Sequence, residues 1–66
     1  MSCYAGIDSG SWTTKAVVID AEARVLGSAV VRSGADLAAA AERAYAGALA
    51  GSGCARREVS AVWATG

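Results

Sequence analysis

The hydrophobic pattern of this chain consists of four short apolar stretches, which polar or glycine-containing turns separate. The stretches cover residues 3–7, 13–19, 24–31 and 59–64. Their length and their β-favouring residues, most abundant in the second stretch, predict four β-strands. The links between the first three are only a few residues long, which predicts two hairpins and an antiparallel meander. Gly27 lies inside the third stretch, where it indicates a β-bulge.

A longer segment, residues 37–50, has helical periodicity instead. It is rich in alanine, the residue with the highest helix propensity, and its apolar side chains recur at helical spacing. The predicted apolar stripe consists of Leu37, Ala40, Ala41, Ala44, Ala48 and Leu49. Asp36 is in position to cap the first turn, and Gly51 to end the helix in a left-handed conformation. A stripe made mostly of alanine lets the helix lie close on a sheet.

The predicted order of elements is therefore β-β-β-α-β, an α/β arrangement. Because the helix is a crossover, the fourth strand should run parallel to a member of the same sheet through a right-handed connection. The most natural position for it is beside the first strand. By analogy with known folds, we predict a mixed sheet with one crossover helix, the first part of a ribonuclease-H-like domain.

Composition and charge narrow the classes of function. The chain has 66 residues, and six basic side chains balance six acidic ones. A chain of this size forms at most one domain with little stability to spare, so we expect a marginal fold or a missing partner surface. Neutral charge gives no electrostatic reason to bind nucleic acid or an anionic membrane. No apolar run approaches the ~20 residues that span a bilayer, and the start of the chain does not resemble a signal peptide.

These observations predict a cytoplasmic protein with no nucleic-acid partner and no membrane partner. The two cysteines, Cys3 and Cys54, are far apart in the sequence, and the chain has neither a CxxC motif nor a histidine. Such cysteines in a cytosolic protein are typically free, so we predict two free buried thiols rather than a disulfide or a metal pair.

The turn between the first two strands carries the candidate chemistry. Its sequence, residues 6–15, is Gly-Ile-Asp-Ser-Gly-Ser-Trp-Thr-Thr-Lys. The first strand brings Asp8 to the edge of the sheet, where its carboxylate can hold a magnesium ion through water. Gly10 allows a close approach of the backbone to a phosphate, and the amides of a tight turn form an anion-binding nest. The candidate phosphate ligands are Gly10, Ser11, Trp12, Thr13, Thr14 and Lys15.

Two other interpretations of the same turn stay open. Asp-Ser-Gly-Ser is a good turn sequence, and Thr-Thr-Lys can be an ordinary start of a strand. Alternatively, Asp8 could ligate a metal directly in a ribonuclease-H-like nuclease, which would need further acidic residues on adjacent strands; none is evident. The turn is neither a Walker A loop, since Gly-x4-Gly-Lys-Ser/Thr is absent and it opens a strand, nor a dinucleotide-binding fingerprint.

Residues 6–17 resemble the first phosphate motif of the BadF/BadG/BcrA/BcrD ATPases, which belong to the actin/hexokinase/heat-shock-chaperone superfamily. Similar residues follow at 25–28, 33–36, 41–44 and 64–66, so the resemblance covers nearly the whole chain. This family contains the ATP-dependent activators of 2-hydroxyacyl-CoA dehydratases and the ATPase subunits of benzoyl-CoA reductases. The first motif is typical of the whole superfamily, and the later similarities favour this family.

The resemblance implies an ATPase that drives a low-potential electron into a partner enzyme, a CoA-ester dehydratase or reductase. In the family, two subunits share one [4Fe-4S] cluster, so a homodimer is implied for the full-length protein. By position, Asp8 would hold magnesium through water. Gly10, Ser11, Thr13 and Lys15 would line the β- and γ-phosphates of ATP, and Thr14 would face the other side of its strand.

The resemblance also implies that residues 1–66 are the amino-terminal part of an incomplete actin-like ATPase domain. The family's second phosphate loop, adenosine site and cluster cysteines lie past Gly66, and Cys3 and Cys54 do not match the cluster positions. We expect the full-length parent to be an ATPase and these 66 residues alone to have no useful ATPase activity. Electrostatic clamping of a triphosphate needs donors from both sides of a cleft.

Two rival functions belong to the same superfamily. One is a sugar or carboxylate kinase, which also begins Gly-Ile-Asp-x-Gly, and the other is a non-catalytic reactivation or assembly factor that binds nucleotide. Residues 13–15 and 64–66 favour the activator.

Trp12 departs from the family, and we expect its ring to point away and pack locally. Trp63, which alternates with apolar residues, is predicted to be buried in the sheet.

Overall fold

A computed structural model of the chain describes residues 2–65. These residues form a four-stranded mixed sheet with one helix on one face. The elements, in chain order, are β1 (Cys3–Ser9), β2 (Thr13–Asp20), β3 (Val25–Arg32), α1 (Leu37–Ser52), a short 3₁₀ turn (Arg56–Glu58) and β4 (Val59–Thr65). The sheet order is β3-β2-β1-β4, in which β1 is antiparallel to β2, β2 is antiparallel to β3, and β4 is parallel to β1. The predicted β-β-β-α-β order and the position of β4 beside β1 are confirmed. Gly66, the end of the closing motif, lies outside the described residues.

The helix packs mainly on β3 and β2 and less on β1. The buried core between helix and sheet consists of Cys3, Ala5, Ala16, Val18, Ala44, Tyr45, Ala48 and Leu49. Most of the predicted apolar stripe therefore faces the sheet, and Tyr45 adds the one large ring. Leu37, the first residue of the helix, is instead half exposed, so its predicted burial is wrong.

Both ends of α1 are closed by side chains. The carboxylate of Asp36 accepts a hydrogen bond from the Ala39 N–H at 3.0 Å, which confirms the predicted cap. At the other end, the prediction that Gly51 ends the helix is wrong. The helix continues to Ser52, and Gly53 takes the left-handed conformation, with φ of 76°. The Ser52 hydroxyl explains the extra length, since it donates to the Leu49 carbonyl at 2.8 Å and so satisfies one of the last carbonyls.

Gly27 lies where the backbone of the helix comes closest to the sheet. A Cβ atom built on Gly27 would lie 2.3 Å from the Ala48 carbonyl oxygen and 2.5 Å from the Ser52 nitrogen. The register of the β2–β3 ladder also shifts next to Gly27, which confirms the predicted bulge. The absence of a side chain at this position thus sets how close α1 can approach β3, and no flexible side chain is available to move aside.

The open face of the sheet lies opposite α1. No helix among the described residues covers this face. On this face Trp63 is 53% exposed, so its predicted burial is wrong. The reason is topological, because β4 is an edge strand whose outward side chains have nothing packed over them. No helix among residues 2–65 has the length and apolar character needed to cross a membrane.

The connector after α1 carries two arginines of different character. Arg56 forms an ion pair with Glu42 of the helix at 2.6 Å, and its guanidinium lies 4.6 Å from the centre of the Tyr45 ring. Arg57 is exposed and takes part in no ion pair of residues 2–65. Arg57 is therefore a solvated charge, whereas Arg56 fastens the connector to the helix.

Replacing Gly27 by alanine should destabilise the fold strongly, because the new methyl group would collide with rigid backbone of α1. We expect a loss of about 3 kcal/mol in the free energy of unfolding, or no cooperative transition at all, in urea denaturation. Gly51→Ala is the matched control, since a Cβ there meets nothing closer than the Gly27 Cα at 3.9 Å. The control should be neutral or stabilising by up to about 1 kcal/mol. Equal effects of the two variants would contradict the close-approach argument.

Candidate functional site

The candidate loop is the tip of the β1–β2 hairpin. The Gly10 N–H donates to the Thr13 carbonyl at 2.9 Å and closes the turn over Ser11 and Trp12. The amide of Gly10 is therefore used inside the turn. Among the hydrogen bonds of residues 2–65, none uses the N–H of Ser11 or of Trp12. These two tip amides are the main-chain donors that an anion could engage.

Ser33, the residue after β3, fastens this loop to the sheet. Its N–H donates to the Trp12 carbonyl at 3.0 Å, and its hydroxyl donates to the Gly10 carbonyl at 2.6 Å. Its Oγ also lies 2.9 Å from Thr14 Oγ1. Because the Ser33 proton is directed at Gly10, the Thr14 hydroxyl must be the donor of this third bond. Ser33 is only 1% exposed, so water does not compete for these bonds.

Thr14 consequently lies apart from the other candidate ligands. It is fully buried on the helix side of the sheet, and its hydroxyl is committed to Ser33. The structure brings together Asp8, Thr13 and Lys15, which lie on the open face, and holds Ser11 and Trp12 at the tip. Ser33 was missed as part of the loop, because a bond that spans 23 residues leaves no local signal in the sequence.

Asp8 and Lys15 meet on the open face of the sheet. Asp8 is the register partner of Lys15 in the β1–β2 ladder and of Thr65 in the β1–β4 ladder. Thr65 Oγ1 donates to Asp8 Oδ1 at 3.4 Å. The ion pairs within residues 2–65 involve neither Asp8 nor Lys15. A carboxylate and an ammonium group therefore share one face, and both are available to a ligand.

Two concavities flank the loop. The open-face groove, of about 180 Å³, is lined by Gly6, Ile7, Asp8, Lys15, Val17, Trp63 and Thr65. The tip hollow, of about 370 Å³, is lined by Ser11, Trp12, Thr13, Arg32 and Gly34. The Trp12 ring is 87% exposed at the tip, so the expectation that it packs locally is wrong. Trp63 and Arg32 border the loop although neither was a candidate ligand from the sequence.

Asp8 is the carboxylate that could serve a metal ion. Within residues 2–65, no three His, Cys, Asp or Glu side chains cluster as metal ligands. Magnesium commonly keeps several waters and binds through one or two carboxylates together with substrate phosphates. Asp8 therefore fits a magnesium ion that a polyphosphate brings with it, held through water.

The cysteines lie elsewhere. Both thiols are free, as predicted; Cys3 is fully buried, whereas Cys54 is only partly buried against the same core. The hydrogen bond with Cys54, together with burial, raises the pKa of the Cys3 thiol to about 11. Cys3 begins β1 and Asp8 lies near its far end. A cluster shared between two subunits would take its cysteine ligands from their surfaces, and Cys3 is buried in the core, so this pair of thiols does not fit such a site.

Comparison with known proteins adds no family assignment: no protein-family model matches the chain, and no curated protein is significantly similar to it. The relation to the BadF/BadG/BcrA/BcrD ATPases therefore remains a hypothesis that rests on the motif residues themselves.

Ser33→Ala should destabilise the protein by about 1–3 kcal/mol, because the Thr14 hydroxyl then stays buried without an acceptor. The amide resonances of Gly10 and Trp12 should shift, while those in the middle of β3 stay in place. Ser28→Ala, at an exposed position of β3, the strand that Ser33 follows, should change stability by less than about 0.5 kcal/mol. Similar losses in the two variants would show that Ser33 does not anchor the loop.

The raised pKa of Cys3 should make stability depend on alkaline pH. The folded state favours the neutral thiol, so this contribution is complete below the ordinary pKa of 9.0 and is lost as the pH rises towards 11. Chemical denaturation should show that the free energy of unfolding declines between these two pH values, and that the decline is smaller in Cys3→Ala. Parallel pH profiles for the two proteins would contradict this assignment.

Proposed function

We propose that residues 8–15 bind the phosphates of magnesium-ATP. The observation that carries the proposal is the combination of two unused tip amides with Lys15 and Asp8 on the adjacent open face. Main-chain N–H groups that converge at a tight turn suit an anion, and an ammonium group strengthens such contacts by charge. A carboxylate beside them would repel a bare phosphate, whereas it suits a phosphate that carries magnesium.

In this proposal each residue of the loop has a separate task. Gly10 shapes the turn, and the amides of Ser11 and Trp12 donate to phosphate oxygens. The Thr13 hydroxyl and the Lys15 ammonium lie on the open face and contact the same ligand. Thr14 supports the loop from beneath through Ser33 rather than touching the ligand, since its hydroxyl is already engaged.

We further propose that the chain is the amino-terminal segment of an ATP-binding activator, which couples ATP hydrolysis to electron transfer into a CoA-ester dehydratase or reductase. The support is the resemblance of residues 6–17 and of the later segments to that family. The proposed full-length protein is a cytoplasmic homodimer. Its [4Fe-4S] cluster, second phosphate loop and adenosine site would come from residues outside this chain, because residues 2–65 offer donors on one side of a ligand.

The phosphate proposal is tested by titrating isotopically labelled protein with magnesium-ATP and following the amide resonances by NMR. The largest shifts should fall on residues 10–15, and Lys15→Gln should weaken binding by about tenfold, the loss of one charge-assisted bond. Arg57→Gln is the matched control, because Arg57 is an exposed cation remote from the loop. Shifts that spread evenly over the sheet, or that Lys15→Gln leaves unchanged, would refute the site.

The 66 residues should bind nucleotide without turning it over. Hydrolysis needs donors that stabilise the transferred phosphoryl group from both sides, and the loop supplies donors on only one side. A phosphate-release assay with magnesium and ATP should give the rate of buffer alone. Clear hydrolysis that Lys15→Gln abolishes would show that one loop is sufficient and would overturn this limit.

A further inference from the structure

We propose that Arg32 is a second cationic ligand of this site, and that the ligand is therefore a chain of two or more phosphates rather than a single anion. The inference rests on the proposed phosphate-binding function of the loop. It adds a residue that lies 17 positions beyond Lys15 in the sequence and that only strand pairing brings to the loop.

The pairing of β2 with β3 puts Arg32 on the ligand side of the sheet. Arg32 is the register partner of Thr13, and Val30 is the partner of Lys15. Side chains of directly paired residues share a face, and alternate residues along a strand return to that face. Arg32 and Lys15 are thus diagonal neighbours on the open face, with backbone positions roughly 7–8 Å apart.

The two cations border different concavities. Arg32 lines the tip hollow together with Ser11 and Thr13, whereas Lys15 lines the open-face groove together with Asp8. The residues of the unused tip amides, Ser11 and Trp12, line the tip hollow with Arg32. A chain of phosphates is long enough to extend from one concavity into the other, so it can engage both cations and the tip amides at once.

Charge at this end of the sheet favours such a ligand. Arg32, like Lys15, has no carboxylate partner within residues 2–65. Arg43 of α1 donates through Nη2 to the Arg32 carbonyl at 2.9 Å and brings a third cation nearby. The carboxylates in the vicinity are Asp8 in the groove and Asp36, which is occupied as a helix cap. Although the chain as a whole is neutral, this end carries a positive excess.

A guanidinium group is well suited to the role. Its planar fork can donate two parallel hydrogen bonds to phosphate oxygens, and it stays charged at any physiological pH. The Arg32 side chain is exposed and has no fixed partner, so it can reorient onto a ligand without breaking a structural contact. Replacing it should leave the fold intact, in contrast to a change at Ser33.

The test compares ligands of increasing chain length on the same protein. Inorganic phosphate, pyrophosphate and triphosphate, each with magnesium present, are titrated at constant ionic strength into the wild-type chain and into the variants Arg32→Gln, Arg32→Lys, Lys15→Gln and Arg57→Gln. We expect Arg32→Gln to weaken triphosphate binding by about tenfold and to leave phosphate binding unchanged. Arg32→Lys should fall between Arg32→Gln and wild type, since it keeps the charge and loses the fork. Arg57→Gln should match the wild type, and circular dichroism should show all variants folded.

The outcomes separate this inference from the function it rests on. If Lys15→Gln weakens triphosphate binding and Arg32→Gln behaves like Arg57→Gln, the role of Arg32 is refuted and the phosphate loop stands. If Arg32→Gln weakens all three ligands equally, Arg32 is a ligand but the assignment of a polyphosphate is wrong. If the wild type binds none of the three, the proposed function fails and the inference fails with it.

Discussion

The hydroxyl group of Ser33 is the contact on which the arrangement of the candidate site depends. It joins the end of β3 to the Gly10 carbonyl and accepts from the buried Thr14 hydroxyl. A hairpin tip with free amides and no side-chain support would fluctuate among conformations, and ordering it would cost conformational entropy on binding. Because these bonds are shielded from water, the loop is held in shape before any ligand arrives.

Thr14, which bonds to Ser33, and the open-face residues Thr13 and Lys15 come from the same strand, β2, by simple alternation. Successive residues of β2 point to opposite faces of the sheet, so Thr14 faces the helix side while Thr13 and Lys15 face outward. The helix side is covered by α1, and Thr14 and Ser33 are both buried there. The packing of α1 on the sheet therefore supports the loop through Ser33. No residue of α1 lines either concavity.

The open face has the opposite character. Its side chains include the unpaired charges of Asp8, Lys15 and Arg32, together with the half-exposed ring of Trp63. Unpaired charges gathered at one end of a neutral chain attract a ligand whose own charge complements them. An extended anionic ligand such as the proposed polyphosphate would satisfy more of these groups at once than a compact one.

The sequence by itself determined the order of the elements, the helix and its amino-terminal cap, and the candidate loop, because periodicity, capping and turn chemistry are local. Tertiary structure alone decided that Ser33 anchors the loop, that Arg32 lies beside Thr13, and that the face to which Thr14 alternates is the one that the helix buries. It also decided that Trp63 and Trp12 are exposed, since an apolar residue is buried only where another element covers it. These features depend on strand register and on which face the helix covers, and both arise from contacts between residues far apart along the chain.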